Sequence, residues 1–342
     1  GSKKRVRGVE PTLGHPWPSS GPSNRLLRRK AWRRPAPRHV WSEMIRRIVF
    51  VCFVMGTFTG WAGEASSSLV QIPLKSTPIV TIRLMFHTGS MDDPKGKEGL
   101  AALTASVIAQ GGTSRLTHEQ VLETLYPMAG AVSVQVDKEM TVFVGQVHRD
   151  HITRFYEVFR DLLLDSRFDE RDLRRERDQT VNYVKTVLRQ EYDEGLGKEI
   201  LEQTLYAGHP FGHVAAGTVK GLESITAQDL RIFAKRYFTR NRLMIGLAGG
   251  YPASLVDQIQ RDIASFPAGE RPTLLPEVSP VKGIHVALVK KTTDSVAISL
   301  GFPITLLRSD PDFLPLLVAN IRFGDHRTFI GRLQNSMRVA RG

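Results

Sequence analysis

Residues 99–113 read GLAALTASVIAQGGT, and this stretch decides the fold class. Its residues are small or apolar almost throughout, it contains no proline and no charge, and a Gly-Gly pair ends it. This pattern predicts a buried helix. A strand-like run, VTIRLMF at residues 80–86, and a turn-rich connection come directly before it. Strand and buried helix in this order predict an αβ unit built around the helix.

The strand, the Gly-Ser turn, the Gly-Leu-Ala helix start and the Gly-Thr after the helix resemble the insulinase/pitrilysin family of zinc peptidases, which includes the mitochondrial processing peptidase. In that family the helix carries the inverted zinc motif H-x-x-E-H. On this frame the first ligand falls on Ala102, the general base on Ala105 and the second ligand on Ser106. A methyl group offers zinc no lone pair, and water activation needs both a metal and a base. The resemblance therefore implies the frame of the enzyme without its chemistry.

The family's third zinc ligand is a glutamate in a long charged helix, seven residues after another glutamate. Glu176 matches the earlier glutamate, which puts the ligand position at Tyr183. A protonated phenol is a poor zinc ligand at neutral pH. We therefore predict no catalytic residue, no bound zinc and no other cofactor, although the family as a whole implies zinc.

The net charge of +13 is concentrated in one segment. Residues 1–43 hold eleven Lys or Arg against Glu10 and Glu43, which leaves only +4 for the remaining 299 residues. Because this segment has no nucleic-acid motif and no apolar periodicity, it is interpreted as a disordered basic leader rather than a nucleic-acid-binding arm. No nucleic-acid partner is predicted.

Residues 44–65 have the pattern of a secretory signal peptide. Arg46 and Arg47 precede an apolar run that contains Cys52, the one cysteine, and Ala65 is suited to cleavage. This predicts export to the bacterial periplasm, with no stable membrane span after cleavage. An uncleaved signal anchor is the alternative.

From residue 66 strands and helices alternate, with a capping box expected at Thr117 and Gln120. Residues 66–266 are predicted to form the first peptidase-like αβ domain, 267–282 a Pro- and Glu-rich linker, and 283–342 the start of a second, truncated domain with strands at 283–290 and 295–301. The predicted fold class is α+β: a metallohydrolase-like repeated αβ unit with helices packed on a mixed, largely antiparallel sheet.

Other combinations of polar residues are weak candidates for a metal site. His209 and His213 are four residues apart, but Pro210 and Gly212 break the helix that would align them. His148 and His151 flank a strand-to-helix turn and are interpreted as surface caps.

One function of the family does not depend on zinc. In the family an extended peptide adds to an edge strand, and the matching strand here is 131–136, which predicts Val132, Ser133 and Val134 as substrate-binding residues. A sheet strand with a covered edge is the alternative. Arg338 matches the arginine of the family's Arg/Tyr substrate contact.

The resemblance implies a non-catalytic subunit that helps to enclose an extended peptide or unfolded protein beside a zinc-bearing insulinase-family partner. Two alternatives stay open: a stand-alone exported peptide-binding or chaperone-like protein, and a metalloendopeptidase with a relocated metal site.

Overall fold

The computed structural model describes residues 68–272, 275–293, 296–324 and 331–341. The leader, the signal segment and Cys52 lie outside these residues. A five-stranded sheet has the order β1-β5-β2-β4-β3. Strand β1 runs parallel to β5 and all other neighbours are antiparallel, which confirms the mixed, largely antiparallel sheet. The strands are β1 Ser68–Pro73, β2 Ile79–Phe86, β3 Ala131–Val136, β4 Thr141–His148 and β5 Leu243–Gly249.

Helices pack against one face of this sheet. Along β2 the side chains of Val80, Ile82, Leu84 and Phe86 are at most 5% exposed, whereas the residues between them are partly or fully exposed. The described α-helices are α1 Leu100–Gln110, α2 His118–Leu125, α3 Ile152–Leu164, α4 Glu170–Asn182, α5 Asp193–Leu205, α6 Val219–Ser224, α7 Ala227–Tyr237, α8 Ala253–Ile263 and α9 Phe313–Gly324. No helix in the described ranges is long and apolar enough to cross a membrane.

Helix α1 lies at the centre of the core, as its composition predicts, with eight of its eleven residues buried. Its start is fixed by Asp93, whose carboxylate accepts the N–H groups of Gly99 and Ala101 at 2.7 Å each. Gly99 has φ 105°, and a Cβ there would lie 2.9 Å from the Cα of Gly217. Glycine is therefore required at this turn.

The end of α1 is held by α4. The Asp172 carboxylate accepts the Gly112 N–H at 2.9 Å, and Arg175 donates both to Asp172 at 2.7 Å and to the Gln110 carbonyl at 2.6 Å. These bonds satisfy main-chain groups that a helix end leaves open. The core helix is thus fixed at both ends by buried carboxylates.

The long charged segment is helical as its sequence predicts, but the helix changes type along its length. Helix α4 ends at Asn182, and a π-helix, Tyr183–Glu191, continues the chain. Helix α5 is not apparent from the sequence because Gly195 and Gly197 lower its helix propensity. The capping box of Thr117 and Gln120 is confirmed at the start of α2.

The strands predicted at 283–290 and 295–301 are wrong for the described residues, which form no strand there. Within residues 66–266, β1 pairs only with β5, and β2 pairs with β4 and β5. Strands β4 and β5 both follow α1 in sequence, so β1 and β2 form no ladder without these later strands. Helix α9 lies in the same part of the chain, and none of its side chains is buried. The domain and linker boundaries stay predictions.

Candidate functional site: a helix without metal ligands beside an edge strand

The three predicted motif positions share one face of α1. Ala105 is fully buried, and Ala102 and Ser106 are half-buried. Tyr183 directly follows α4, the helix packed against α1, and its side chain is 42% exposed. Of these four side chains, two are methyl groups and two carry hydroxyls.

These four residues do not fit zinc, which takes imidazole, thiolate or carboxylate ligands. The described part of the chain also contains no group of three or more His, Cys, Asp or Glu that could hold a metal ion. No chemical step through a metal can be derived for this site from the residues present.

Glu176 lies one turn and a half before the end of α4 and is 6% exposed. Arg175 Nε donates to its Oε1 at 3.1 Å. Burial raises the pKa of the Glu176 carboxyl, and the Arg175 guanidinium opposes this shift. Glu176 thus pairs with its neighbour on α4, whose Nη2 in turn donates to the Gln110 carbonyl at the end of α1.

Strand β3 lies at the edge of the sheet. The Asp137 N–H donates to the Met140 carbonyl, so Asp137 and Met140 are the first hydrogen-bonded pair of the hairpin that joins β3 and β4. Because such pairs alternate in an antiparallel ladder, the main-chain groups of Val132, Val134 and Val136 point away from β4. Ser133 points its main chain toward β4. Of the three predicted substrate-binding residues, Val132 and Val134 therefore offer main-chain groups to a further strand, and Ser133 offers its exposed side chain.

One of these outward groups already has a partner. The Gln110 side-chain amide, at the last residue of α1, donates from Nε2 to the Val132 carbonyl at 3.2 Å. This bond could not be predicted from the sequence, because it depends on how α1 ends beside the sheet. Gln110 takes the Val132 carbonyl and leaves the Val132 N–H and the outward groups of Val134 and Val136 for a further strand.

A groove of about 620 Å³ adjoins the start of β3. It is lined by the end of α1, by α2 and by β3. Most of the lining side chains are apolar, and the polar ones are Gln110, His118 and Glu123. The apolar lining includes Ala109, Val121, Leu125, Tyr126 and Val132. Tyr126 is 88% exposed, so the groove opens to solvent.

The histidines predicted not to bind metal have structural partners. His213 Nε2 lies 3.1 Å from Asp93 Oδ2, and His209 Nε2 lies 3.0 Å from the Pro276 carbonyl. His148 caps the turn before α3 by accepting the Asp150 N–H, as predicted. Burial raises the pKa of Asp93, although the bonds from His213 and two backbone N–H groups oppose the shift.

The half-buried Glu199 lies on α5, near Lys138 and Glu202. Its Oε2 is buried and has no hydrogen-bond partner among the described residues. Burial raises the pKa of Glu199, and Lys138 opposes the shift. Lys138 donates to the His213 carbonyl and lies 3.6 Å from Glu202 Oε2.

Arg338 falls in a π-helix, Gln334–Val339, and its side chain lies outside the described residues. Its role in substrate contact stays a prediction.

Two models of known protein families match the sequence of this chain. The model "Insulinase (Peptidase family M16)" matches residues 70–219, and "Peptidase M16 inactive domain" matches residues 224–342. The chain therefore belongs to the insulinase family of peptidases, as its helix and turn motifs predict.

Curated relatives are distant and longer. The uncharacterized zinc protease YmxG of Bacillus subtilis is 26% identical over 238 residues, which are 68% of this chain and 56% of that protein. A probable mitochondrial-processing peptidase subunit beta of Arabidopsis thaliana is 23% identical over 264 residues, which are 75% of this chain and 48% of the relative. The chain thus spans about half the length of these relatives.

Solved structures share the fold. A peptidase M16 inactive domain from Pseudomonas fluorescens aligns with a TM-score of 0.69 and 21% identity, over 81% of this chain and 67% of that one. Pitrilysin aligns with a TM-score of 0.55 and 19% identity, over 61% of this chain and 23% of its own. At these identities the likeness confirms the α+β peptidase fold.

Proposed function

We propose that this chain is a non-catalytic member of the insulinase family that holds an extended peptide along β3. The proposal rests on two features that lie side by side. The face of α1 expected to bind zinc has Ala102, Ala105 and Ser106 instead of ligands. The adjacent edge strand β3 keeps outward main-chain groups at Val134 and Val136. Peptide capture by an edge strand needs main-chain donors and acceptors and no metal.

The groove beside β3 supports the same proposal. An extended peptide paired with β3 has side chains that alternate between the two sheet faces, as β3 itself does. Side chains on the helix-covered face would enter the apolar groove between α2 and the start of β3. Main-chain pairing would supply affinity, and the groove would favour apolar side chains over charged ones.

A zinc-bearing partner subunit forms part of this proposal. Several relatives are named as beta subunits of the mitochondrial processing peptidase, a name that implies assembly with another subunit. Here the partner would supply the hydrolytic site, and this chain would help to enclose the substrate, with Arg338 as a further contact. The proposal includes export to the periplasm, which rests on residues 44–65 alone.

The experiment compares two substitutions at Val134 in the full chain. Val134→Pro removes an outward N–H donor, whereas Val134→Ala keeps it and also shortens the side chain. The probe is a fluorescein-labelled peptide, KKVTVTVTVTKK, titrated by anisotropy. We expect Val134→Pro to weaken binding by about 1–3 kcal/mol, the range for one unsatisfied group, and Val134→Ala to weaken it less. Equal affinity of the two variants, both folded by circular dichroism, would exclude β3 as the docking edge.

The same preparation tests the absence of catalysis. We expect less than stoichiometric zinc in the purified chain and no cleavage of the probe peptide. One equivalent of zinc that chelation removes together with peptide cleavage would show a relocated metal site. Peptide binding that needs no second subunit would instead favour the stand-alone peptide-binding function, because the edge and the groove both belong to this chain.

A further inference from the structure

The outward edge of β3 does not offer the same groups at each position. Val134 and Val136 each present an N–H donor and a carbonyl acceptor to a further strand. At Val132 the N–H points outward in the same way, but the carbonyl already accepts the Gln110 side-chain amide at 3.2 Å. A peptide paired with β3 therefore meets one position at which its own N–H is not needed.

The geometry of an antiparallel ladder fixes which peptide residue occupies that position. Two residues that face each other as a hydrogen-bonded pair exchange an N–H to carbonyl bond in each direction. The peptide residue opposite Val132 would accept the Val132 N–H on its carbonyl, while its own N–H would have to approach the Val132 carbonyl beside the Gln110 amide. A donor that loses its bond to water without a good replacement weakens binding. Proline has a carbonyl and no N–H, so it avoids this loss.

The main chain of Gln110 is fixed at the end of α1. Its carbonyl accepts a bond from Arg175 Nη2 at 2.6 Å, and Arg175 also donates to the Asp172 carboxylate at 2.7 Å. Asp172 in turn accepts the N–H of Gly112, two residues after the glutamine, at 2.9 Å. The Gln110 side chain is half-buried and reaches the strand from this fixed position. Its bond to β3 is therefore a built-in feature of the edge that a peptide N–H would have to displace.

The apolar groove lies on the side to which this peptide residue points. Val132 packs against the core, and the side chain of the residue directly opposite it points to the same face of the sheet. On that face the groove is lined by Leu122 and Tyr126, whose side chains are 49% and 88% exposed. Aromatic-lined grooves are the surfaces on which proteins recognise proline-containing segments. The ring of a proline opposite Val132 would enter such a surface.

We propose that β3 selects extended peptides that pair in the antiparallel direction and carry a proline opposite Val132. This inference rests on the proposed function of β3 and names the class of peptide it takes. The pattern is apolar-x-apolar-x-Pro, with the two apolar residues opposite Val136 and Val134. Proline is then the last paired residue, where it does not have to continue a ladder. Opposite Val134 a proline would leave a free carbonyl of β3 without a donor, so the preference applies to one position.

The experiment compares three N-acetylated peptides that differ at one residue: VTVTPKK, VTVTAKK and the same sequence with N-methylalanine at the fifth position. Each carries fluorescein on its last lysine and is titrated into the full chain by anisotropy. N-methylalanine lacks the N–H, as proline does, but has no ring. We expect the proline peptide to bind about fivefold more tightly than the alanine peptide, with the N-methylalanine peptide between them. A peptide with proline opposite Val134, VTPTVKK, should bind about fivefold more weakly than VTVTPKK.

A substitution at Gln110 tests the cause of the preference. In Gln110→Ala the Val132 carbonyl needs a donor, which the alanine peptide supplies and the proline peptide does not. We expect the preference for proline to fall from about fivefold to about twofold or less. Gln135→Ala is the matched control, because Gln135 is an exposed glutamine one position along β3 from the valines that pack on the core, and it should keep the preference. Tyr126→Ala should weaken the proline peptide more than the alanine peptide.

Two results would overturn the inference and leave the peptide-binding function in place. One is equal affinity of the parent chain for the proline and alanine peptides while Val134→Pro weakens both, a comparison that needs no variant at Gln110. The other is an unchanged proline preference in Gln110→Ala that is folded by circular dichroism, because the glutamine would then not select proline. No saturable binding of these peptides or of the KKVTVTVTVTKK probe would instead remove the proposed function, and this inference with it.

Discussion

Glu199 is a half-buried residue whose carboxyl should reduce stability. Its Oε2 is buried without a described hydrogen-bond partner, and burial raises the pKa of its carboxyl. A carboxyl with a pKa higher in the folded than in the unfolded state destabilises the fold once pH rises above the unfolded value, and this penalty is absent below that value.

We predict that Glu199→Gln raises the free energy of unfolding by about 1 kcal/mol near pH 7. Glutamate is ionised at this pH and its charge is partly desolvated in the fold, whereas glutamine carries no charge. The gain should shrink toward pH 4, where the glutamate is protonated in both states. Urea unfolding at the two pH values measures this. Glu202→Gln is the control, since Glu202 is 46% exposed. A Glu199→Gln variant that is destabilised at both pH values would contradict the assignment.

Gln110 acts on the candidate site through a single hydrogen bond, that of its Nε2 with the Val132 carbonyl. We predict that Gln110→Ala frees this carbonyl for a bound peptide and strengthens binding of the KKVTVTVTVTKK probe by up to about tenfold, the value of one ordinary hydrogen bond. Gln135→Ala, an exposed glutamine on the same strand, is the control. Weaker binding by Gln110→Ala would indicate that the amide contacts the peptide directly.

At the scale of single elements, α1 depends on the acceptor at its first turn. Asp93 binds two N–H groups of the helix start and faces His213, and its side chain is fully buried. We predict that Asp93→Ala lowers the free energy of unfolding by about 3 kcal/mol, or roughly 1 kcal/mol for each of three lost partners. Asp150 is the control, because its carboxyl is 71% exposed, and Asp150→Ala should change the free energy of unfolding by less than about 1 kcal/mol. A loss at Asp93 no larger than at Asp150 would show that the start of α1 is held by packing alone.

The accuracy of the sequence-based predictions also differs by element. Strand β3 is predicted at its observed bounds and the start of helix α2 at its capping box, because alternation and a capping box are local signals. The π-helix after Asn182 and the helix α5 are not predicted, since a π-turn and a glycine-containing helix have no distinct periodicity. Gln110 and Glu199 could not be recognised at all. Their roles arise from contacts between elements that are distant in sequence.

At the scale of the whole molecule, the core belongs to the first unit. Each residue of the described hydrophobic core cluster lies between Val80 and Phe266, while the apolar side chains of 284–302 remain exposed. A domain that buries its own core can fold independently. Residues 267–270 still contribute, because Arg240 and Asn241 donate to the carbonyls of Pro267 and Ala268.

We therefore predict that a chain ending after Arg271 folds and unfolds cooperatively, with a Tm within about 5 °C of the full chain. A chain ending at Ile263 is the comparison: it lacks Phe266 and the bonds to 267–268, and should lose about 2 kcal/mol or more. Thermal melts by circular dichroism distinguish the two. A chain ending at Arg271 that lacks a cooperative transition would show that residues 275–341 are required for the first unit to fold.

The bond from Gln110 to the Val132 carbonyl also bears on solubility. An exposed edge strand is a template on which identical molecules can stack into a continuous sheet, the route to amyloid-like assembly. Strand β3 has valines at alternate positions and no charge, which is the composition that favours such growth. By occupying one acceptor near the start of the edge, the glutamine shortens the template. It leaves room for a short single peptide while making the longer register of a neighbouring molecule harder to reach.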